Sequence, residues 1–171
     1  MSRGHDPEYS LVHAVGLCVL NWARVEVVLV DLFHAVLKQP LPSQASMLDH
    51  IPAFGTRLAV IDAAIHQAGM PDRITMRWSK LRETVLEKHA RRNVIVGSGV
   101  KVERMDPRSS NMINVRQLSV GTLLKRDKSL QLSDFDAAAN SFQRLAQDIA
   151  ELHVEVQAAQ LQAKATPLMS G

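Results

Sequence analysis

The chain has 171 residues, enough for one domain with a hydrophobic core. Hydrophobic residues make up 46% and charged residues 22%, which is typical of a globular protein and argues against a disordered chain. The net charge of +3 is mild, and the basic clusters at Arg91–Arg104 and Lys125–Lys128 lack interleaved aromatic residues, so a strong nucleic-acid footprint is missing.

A first long helix is predicted from about Glu8 to Lys38, before a segment that contains two prolines. Its apolar residues cover nearly the whole circumference, which predicts a place in the middle of a bundle or in a dimer interface. Polar and charged residues such as Arg24 and Asp31 interrupt the run, so no membrane span is expected. The single cysteine, Cys18, lies in this run and is expected to be a buried, unreactive thiol in a reducing cytoplasm.

Two further helices follow from apolar residues at helical spacing. The second is predicted from Phe54 to about Ala68, where Gly69 and Pro71 are stop signals. The third is predicted from about Asp72 to Gly97.

The pattern changes after Gly97, because apolar residues begin to alternate with polar ones and a turn composition occurs at 106–111. We therefore expect a small β-hairpin or an irregular extended arm over residues 98–131. Ser133 is predicted to open a last helix, with Asp136 as its capping acid, that reaches about Gln162. The sequence thus predicts a mainly α single domain, with a helical bundle over 8–97 and 133–163 and a loose tail over 165–171.

The end of the third helix carries polar residues where apolar ones are expected. Trp78, Val85 and Arg92 are seven residues apart and share one helix face, so Arg92 and its neighbour Asn93 are predicted to point toward the core side. Glu26 on the first helix is also predicted to face inward, and a buried carboxylate needs a cationic partner. The simplest interpretation is a structural polar cluster of Glu26, Arg92 and Asn93. The alternative is a site for a ligand or an RNA phosphate.

Three features together resemble the HEPN superfamily. They are a long helix with a Trp-x-x-x-Glu step at Trp22 and Glu26, a second helix that opens on Phe54, and a third helix that ends in the Arg-Asn-x-Ile-Val-Gly sequence of Arg92–Gly97. The resemblance implies an up-and-down bundle of four to five helices that forms a homodimer. Many members of the superfamily are ribonucleases of toxin–antitoxin, phage-defence or RNA-processing systems, and others are non-catalytic.

The chain lacks one residue of the family motif, the histidine. Active members carry a histidine that is separated from the arginine by four to six residues, often with a polar residue directly after that arginine. Arg92 and Asn93 match, but Gly97, Ser98 and Gly99 occupy the histidine positions, and His89 lies three residues upstream. Metal-independent RNA cleavage through the ribose 2′-hydroxyl needs a group that moves a proton as well as a cation. An arginine that is always protonated supplies only the cation.

We therefore expect a catalytically degenerate HEPN-like protein that acts as an interaction or RNA-associated module in the cytoplasm. No cofactor is implied, and the seven histidines show no metal-binding spacing. One alternative is a metal-independent RNA endonuclease of toxin or defence type, with Arg92, Asn93 and His89 at its site. Another is a bundle that binds a small ligand in its interior. The expected partners are a second copy of the chain, RNA or another protein, and not a membrane.

Overall fold

The computed structural model describes residues 7–38, 47–48, 50–97, 99–104, 113–118 and 129–165. Four long helices account for most of them. They are α1 (Pro7–Leu37), α2 (Phe54–Gln67), α3 (Asp72–Gly97) and α4 (Leu132–Ala165). The prediction of a mainly α helical bundle with a small β element before the last helix is confirmed. None of the helices in these ranges combines the length and apolarity that a bilayer crossing requires.

The β element between α3 and α4 consists of strands β1 (Gly99–Arg104), β2 (Ile113–Leu118) and β3 (Ser129–Leu130). Strand β2 pairs antiparallel with both neighbours, so the sheet order is β1-β2-β3. A third strand supports the hairpin, because two strands alone are marginally stable in water. The sequence did not predict β3, since two residues are too few to show alternation. The predicted turn at 106–111 and most of the predicted tail at 165–171 lie outside the described residues.

The chain divides into two compact units, and the first comprises Met1–Ala23 and Glu87–Gln143. In this unit the first half of α1 packs on the start of α4 through small and aromatic side chains. The Sγ of Cys18 donates a hydrogen bond to the backbone oxygen of Phe135 at 3.2 Å, and the Nδ2 of Asn21 donates one to the backbone oxygen of Ala139 at 3.0 Å. The later residue of α1, Asn21, contacts the later residue of α4, Ala139, so α1 and α4 run in the same direction here.

The second unit comprises Arg24–Leu86 and Arg144–Gly171. Its core contains Trp78, which is fully buried and donates its indole N–H to the Oδ1 of Asp62 at 2.9 Å. Arg77, next to it on α3, forms ion pairs with Glu151, at 2.7 Å, and with Glu155 on α4. These contacts fix the rotation of α3 against both α2 and α4 in this unit.

The cap of α4 differs from the sequence prediction. The helix begins at Leu132, and the backbone N–H of Gln131 donates to the Oδ2 of Asp134 at 2.8 Å. In return, the backbone N–H of Asp134 donates to the backbone oxygen of Gln131 at 2.9 Å. The capping acid is therefore Asp134 and not Asp136, so the prediction of a cap that begins at Ser133 was wrong by two residues. A carboxylate in the first turn is also favoured by the helix dipole.

Candidate functional site

The three candidate residues of the family-like motif lie together near the end of α3, in the first unit. His89, Arg92 and Asn93 are three and four residues apart, so the helix places them on neighbouring positions of one side. His89 and Arg92 are half-buried, and Asn93 is exposed. The prediction that Asn93 points toward the core is therefore wrong, since its side chain lies at the surface.

A row of hydrogen bonds joins the three side chains. The Nδ2 of Asn93 lies 3.4 Å from the Nε2 of His89, and the Nη1 of Arg92 donates to the Oδ1 of Asn93 at 3.1 Å. The amide therefore uses its nitrogen and its oxygen in the same row. The Nε of Arg92 is buried and finds no hydrogen-bond partner in the part of the chain that the structure describes. Unpaired buried donors are uncommon, and they are often found where a polar ligand binds.

An aromatic pair from α1 and α4 supports the histidine of this row. The rings of Trp22 and His89 lie 5.7 Å apart between centroids and are tilted by 40°. Phe142 meets the same indole edge-on at 5.4 Å. Trp22 is only 2% exposed, so it is a fixed platform that holds the imidazole ring in place. The sequence marked Trp22 as an apolar and family-like position, but gave no sign of its contact with a residue 67 positions away.

The geometry of the row suits anion binding better than proton transfer. When Asn93 donates to the Nε2 of His89, that nitrogen accepts, so the imidazole carries its proton on Nδ1. In that tautomer the Nε2 of His89 faces the Nδ2 of Asn93, whereas a general base must present an unoccupied acceptor to the proton it removes. Arg92 keeps further N–H donors and a permanent charge, which can hold a phosphate or carboxylate oxygen.

A buried amide next to this platform was missed by the sequence reasoning. Asn21 is 6% exposed and precedes Trp22 on α1. Its bond to the backbone oxygen of Ala139 ties α1 to α4 directly beneath the aromatic pair. The available signal was its place inside the apolar run, between Cys18 and Val25. A buried amide with satisfied hydrogen bonds fixes one packing arrangement of its neighbours.

Glu26, the third predicted member of the polar cluster, belongs to the second unit and is half-buried. It lines a small cavity between α1 and α2 together with Arg57, whose guanidinium carbon lies 5.7 Å from the centre of the Phe54 ring. Its pairing with Arg92 stays a prediction.

Cys18 behaves as a structural thiol. It is fully buried and unpaired with any other cysteine. Burial raises the pKa of the thiol above its usual value of 9.0, and the nearby carboxylate of Asp136 acts in the same direction. A protonated thiol is a poor nucleophile, so this residue supplies no catalytic group. The sequence expectation of a buried cysteine is confirmed.

A second concave surface lies in the second unit, between the last turns of α1 and α2. This groove has a volume of about 490 Å³ and is lined mostly by apolar side chains, Val36, Val60 and Ala64 among them. Among the described residues of its lining, Lys38 is the one that carries a charge. The volume falls in the range of small-molecule sites in proteins.

Over the described ranges, no group of three or more histidine, cysteine or acidic side chains is arranged to hold a metal ion. Comparison of the chain with protein-family models, with curated proteins and with solved structures gave no match.

Proposed function

We propose that the chain is a HEPN-like helical-bundle protein that lacks ribonuclease activity and acts as an interaction or RNA-associated module. The observation that carries this proposal is the hydrogen-bonded row of His89, Asn93 and Arg92 on the Trp22 platform. The row offers a cation for a phosphate, and the Nε2 of its imidazole lies 3.4 Å from the Nδ2 of Asn93. The positions where active family members carry the motif histidine hold Gly97, Ser98 and Gly99.

Charge on the same part of α3 supports RNA as the bound anion. Arg91 is exposed one position before Arg92, and it donates to the backbone oxygen of Asp134 at 3.3 Å, so its charge is not neutralised by that contact. Lys88 lies one turn earlier, although Glu87 pairs with it at 3.0 Å. Binding through a few phosphate contacts is weak and strongly dependent on salt.

The test is RNA retention at low salt, measured with a labelled structured RNA and followed by gel for cleavage. We expect retention without cleavage. Arg92→Gln should weaken binding and lower the salt slope by about one unit, as expected for one lost phosphate contact. Arg73→Gln is the matched control, because Arg73 is an exposed arginine at the opposite end of the same helix. It should leave both values unchanged.

Two results would change the proposal. Cleavage of the RNA that is abolished by both Arg92→Gln and His89→Phe would support the alternative of an active endonuclease with an atypical motif. Failure to retain RNA at low salt would remove the RNA role and leave a protein-interaction module. We further propose that the protein acts as a homodimer and, because its one cysteine is a free thiol, in the cytoplasm.

A second candidate function is the binding of a small ligand, and the groove between α1 and α2 favours it. Its apolar walls and Lys38 suit an apolar molecule with an anionic group. Calorimetric titration with a series of straight-chain carboxylates tests this, because affinity should rise about fourfold for each added CH₂. Ala63→Phe, which fills the groove, should abolish binding. Ala59→Phe, one turn earlier on the same helix and outside the groove lining, should not.

A further inference from the structure

The first half of α1 has two apolar faces, and only one of them is buried against other parts of the chain that the structure describes. The inner face consists of Leu11, Ala14, Cys18 and Trp22, all buried. A second stripe, which we call the outer stripe, is exposed to solvent. Its large members are Tyr9, Val12, Val19 and Leu20, which are 72%, 70%, 42% and 60% exposed. Each residue turns a helix by about 100°, so the outer stripe lies on the side opposite the inner face.

The spacing of the outer stripe is that of a helix-pairing surface. Tyr9, Gly16 and Ala23 are seven residues apart, and Val12 and Val19 fall between them at the same interval. Apolar residues that alternate three and four apart are the pattern of helices that pack side by side. No Asp, Glu, Lys or Arg occurs from Tyr9 to Ala23, and the exposed ring of His13 stacks on that of Tyr9 with 6.5 Å between centroids. A solvent-facing helix surface ordinarily carries charged residues, so their absence over four turns indicates that this face is covered.

Gly16 lies in the middle of the outer stripe, and the packing of the described residues gives no reason for a glycine at this position. A glycine in the interior of a helix weakens that helix. A Cβ added at Gly16 would meet nothing within 4 Å, so no contact with the described residues requires its small size. The usual reason for such a residue on a helix surface is that a second backbone approaches closely.

We infer that the outer stripe of α1 is the surface through which two copies of this chain associate, with the two helices crossing at Gly16. The stripe is self-complementary about that point in an antiparallel crossing. Tyr9 of one copy then faces the small Ala23 of the other, and Val12 faces Leu20. A two-fold interface requires this reciprocity, because each contact occurs twice. A second copy suits this surface also because its own outer stripe carries no Asp, Glu, Lys or Arg.

The area of the outer stripe agrees with a reversible dimer. Its exposed side chains amount to roughly 500 Å² per copy and roughly 1,000 Å² for the pair, which is at the lower end for specific interfaces. We therefore expect association that depends on protein concentration. This inference rests on the homodimer of the proposed function and names its surface.

The most discriminating variant is Gly16→Leu, measured by light scattering and sedimentation over a wide concentration range. Because the site is open, leucine fits the single copy and favours the helix, so the urea midpoint of unfolding measured at low concentration should rise. The same side chain blocks the close crossing, so the dimer should weaken by at least about tenfold. Gly55→Leu is the matched control, since Gly55 is a helical glycine with equally open surroundings on α2. It should leave association unchanged.

A second pair of variants tests the same surface by charge. Leu20→Glu places two carboxylates in the interface and should give monomers. Val154→Glu is the control, because Val154 on α4 is 62% exposed and so matches Leu20 in exposure. This control variant should dimerise as the wild type does. A wild-type protein that is monomeric throughout would overturn both this inference and the proposed homodimer. A wild-type dimer that Gly16→Leu and Leu20→Glu do not weaken would overturn only the inference, because association would then use another face.

Discussion

His89 makes both a ring contact and a hydrogen bond, and the two contacts predict different effects of substitution on the free energy of unfolding. In the structure its ring rests on buried Trp22, and its Nε2 lies 3.4 Å from the Nδ2 of exposed Asn93. His89→Phe keeps a planar ring for the packing contact and removes the hydrogen bond. His89→Ala removes both. Comparison of the two variants therefore separates the two contributions.

The expected magnitudes follow from the two contacts. An aromatic pair of this geometry contributes about 0.5–1.5 kcal/mol beyond the burial of its area. The hydrogen bond is long and its donor is exposed, so water replaces it and its loss costs no more than about 0.5 kcal/mol. We expect His89→Phe to change the free energy of unfolding by less than about 0.5 kcal/mol, and His89→Ala to lower it by about 1–2 kcal/mol.

Urea unfolding followed by far-ultraviolet circular dichroism measures these differences through the shift of the midpoint at constant slope. Tryptophan emission, to which both Trp22 and Trp78 contribute, offers a further check, since loss of the ring in His89→Ala removes a contact of Trp22 and should alter the emission, and His89→Phe should alter it less. If His89→Phe proves as destabilising as His89→Ala, the polar row and not the ring contact holds this residue, and the platform interpretation of Trp22 is wrong.

Three further predictions concern the cores of the two units. Asp62→Leu leaves the buried indole N–H of Trp78 without its acceptor and should cost about 1–3 kcal/mol in urea unfolding, whereas Asp62→Asn, which keeps an oxygen there, should cost less. Arg77→Met removes the ion pairs with Glu151 and Glu155, and because all three groups are partly exposed the loss should be about 1 kcal/mol and should shrink in high salt. The pKa of Cys18 is raised in the folded state, so its contribution to stability is present below about pH 9 and is lost as the pH rises through the folded pKa. The alkaline decline of the unfolding free energy should therefore be shallower in Cys18→Ala than in the wild type.

The helices were predictable because their signals are local. The bounds of α1, α2 and α3 match the predictions to within one residue, since apolar periodicity defines each helix and Gly69 and Pro71 stop α2. The start of α4 was less accurate because Gln131, a residue without a strong capping preference, occupies the cap position. The reciprocal bond with Asp134 shows that the acid three residues later carried the useful signal.

The parts that could not be predicted depend on contacts between distant segments. Periodicity shows that Trp22 lies on an apolar face, but not that His89 of α3 and Phe142 of α4 meet it there. The apolar circumference of α1 was equally ambiguous, because it fits a helix in the middle of a bundle as well as one in a dimer interface. Tyr9 and Leu20 are exposed, which argues against a place in the middle of the bundle for this face of α1, and the dimer interface stays a prediction.

The two faces of α1 allow the site and the association surface to be tested independently. Trp22 projects from the inner face and supports His89, whereas Gly16 and Leu20 lie on the outer stripe, on the opposite side of the same helix. Residues that share no partner have additive effects, so the double variant with Gly16→Leu and Arg92→Gln should combine weak association with weak RNA binding and show no additional loss. A deficit in RNA binding caused by Gly16→Leu alone would mean that retention requires two copies. In that case the bound RNA would contact the cations of both subunits, and its salt slope would fall by about half in the monomer.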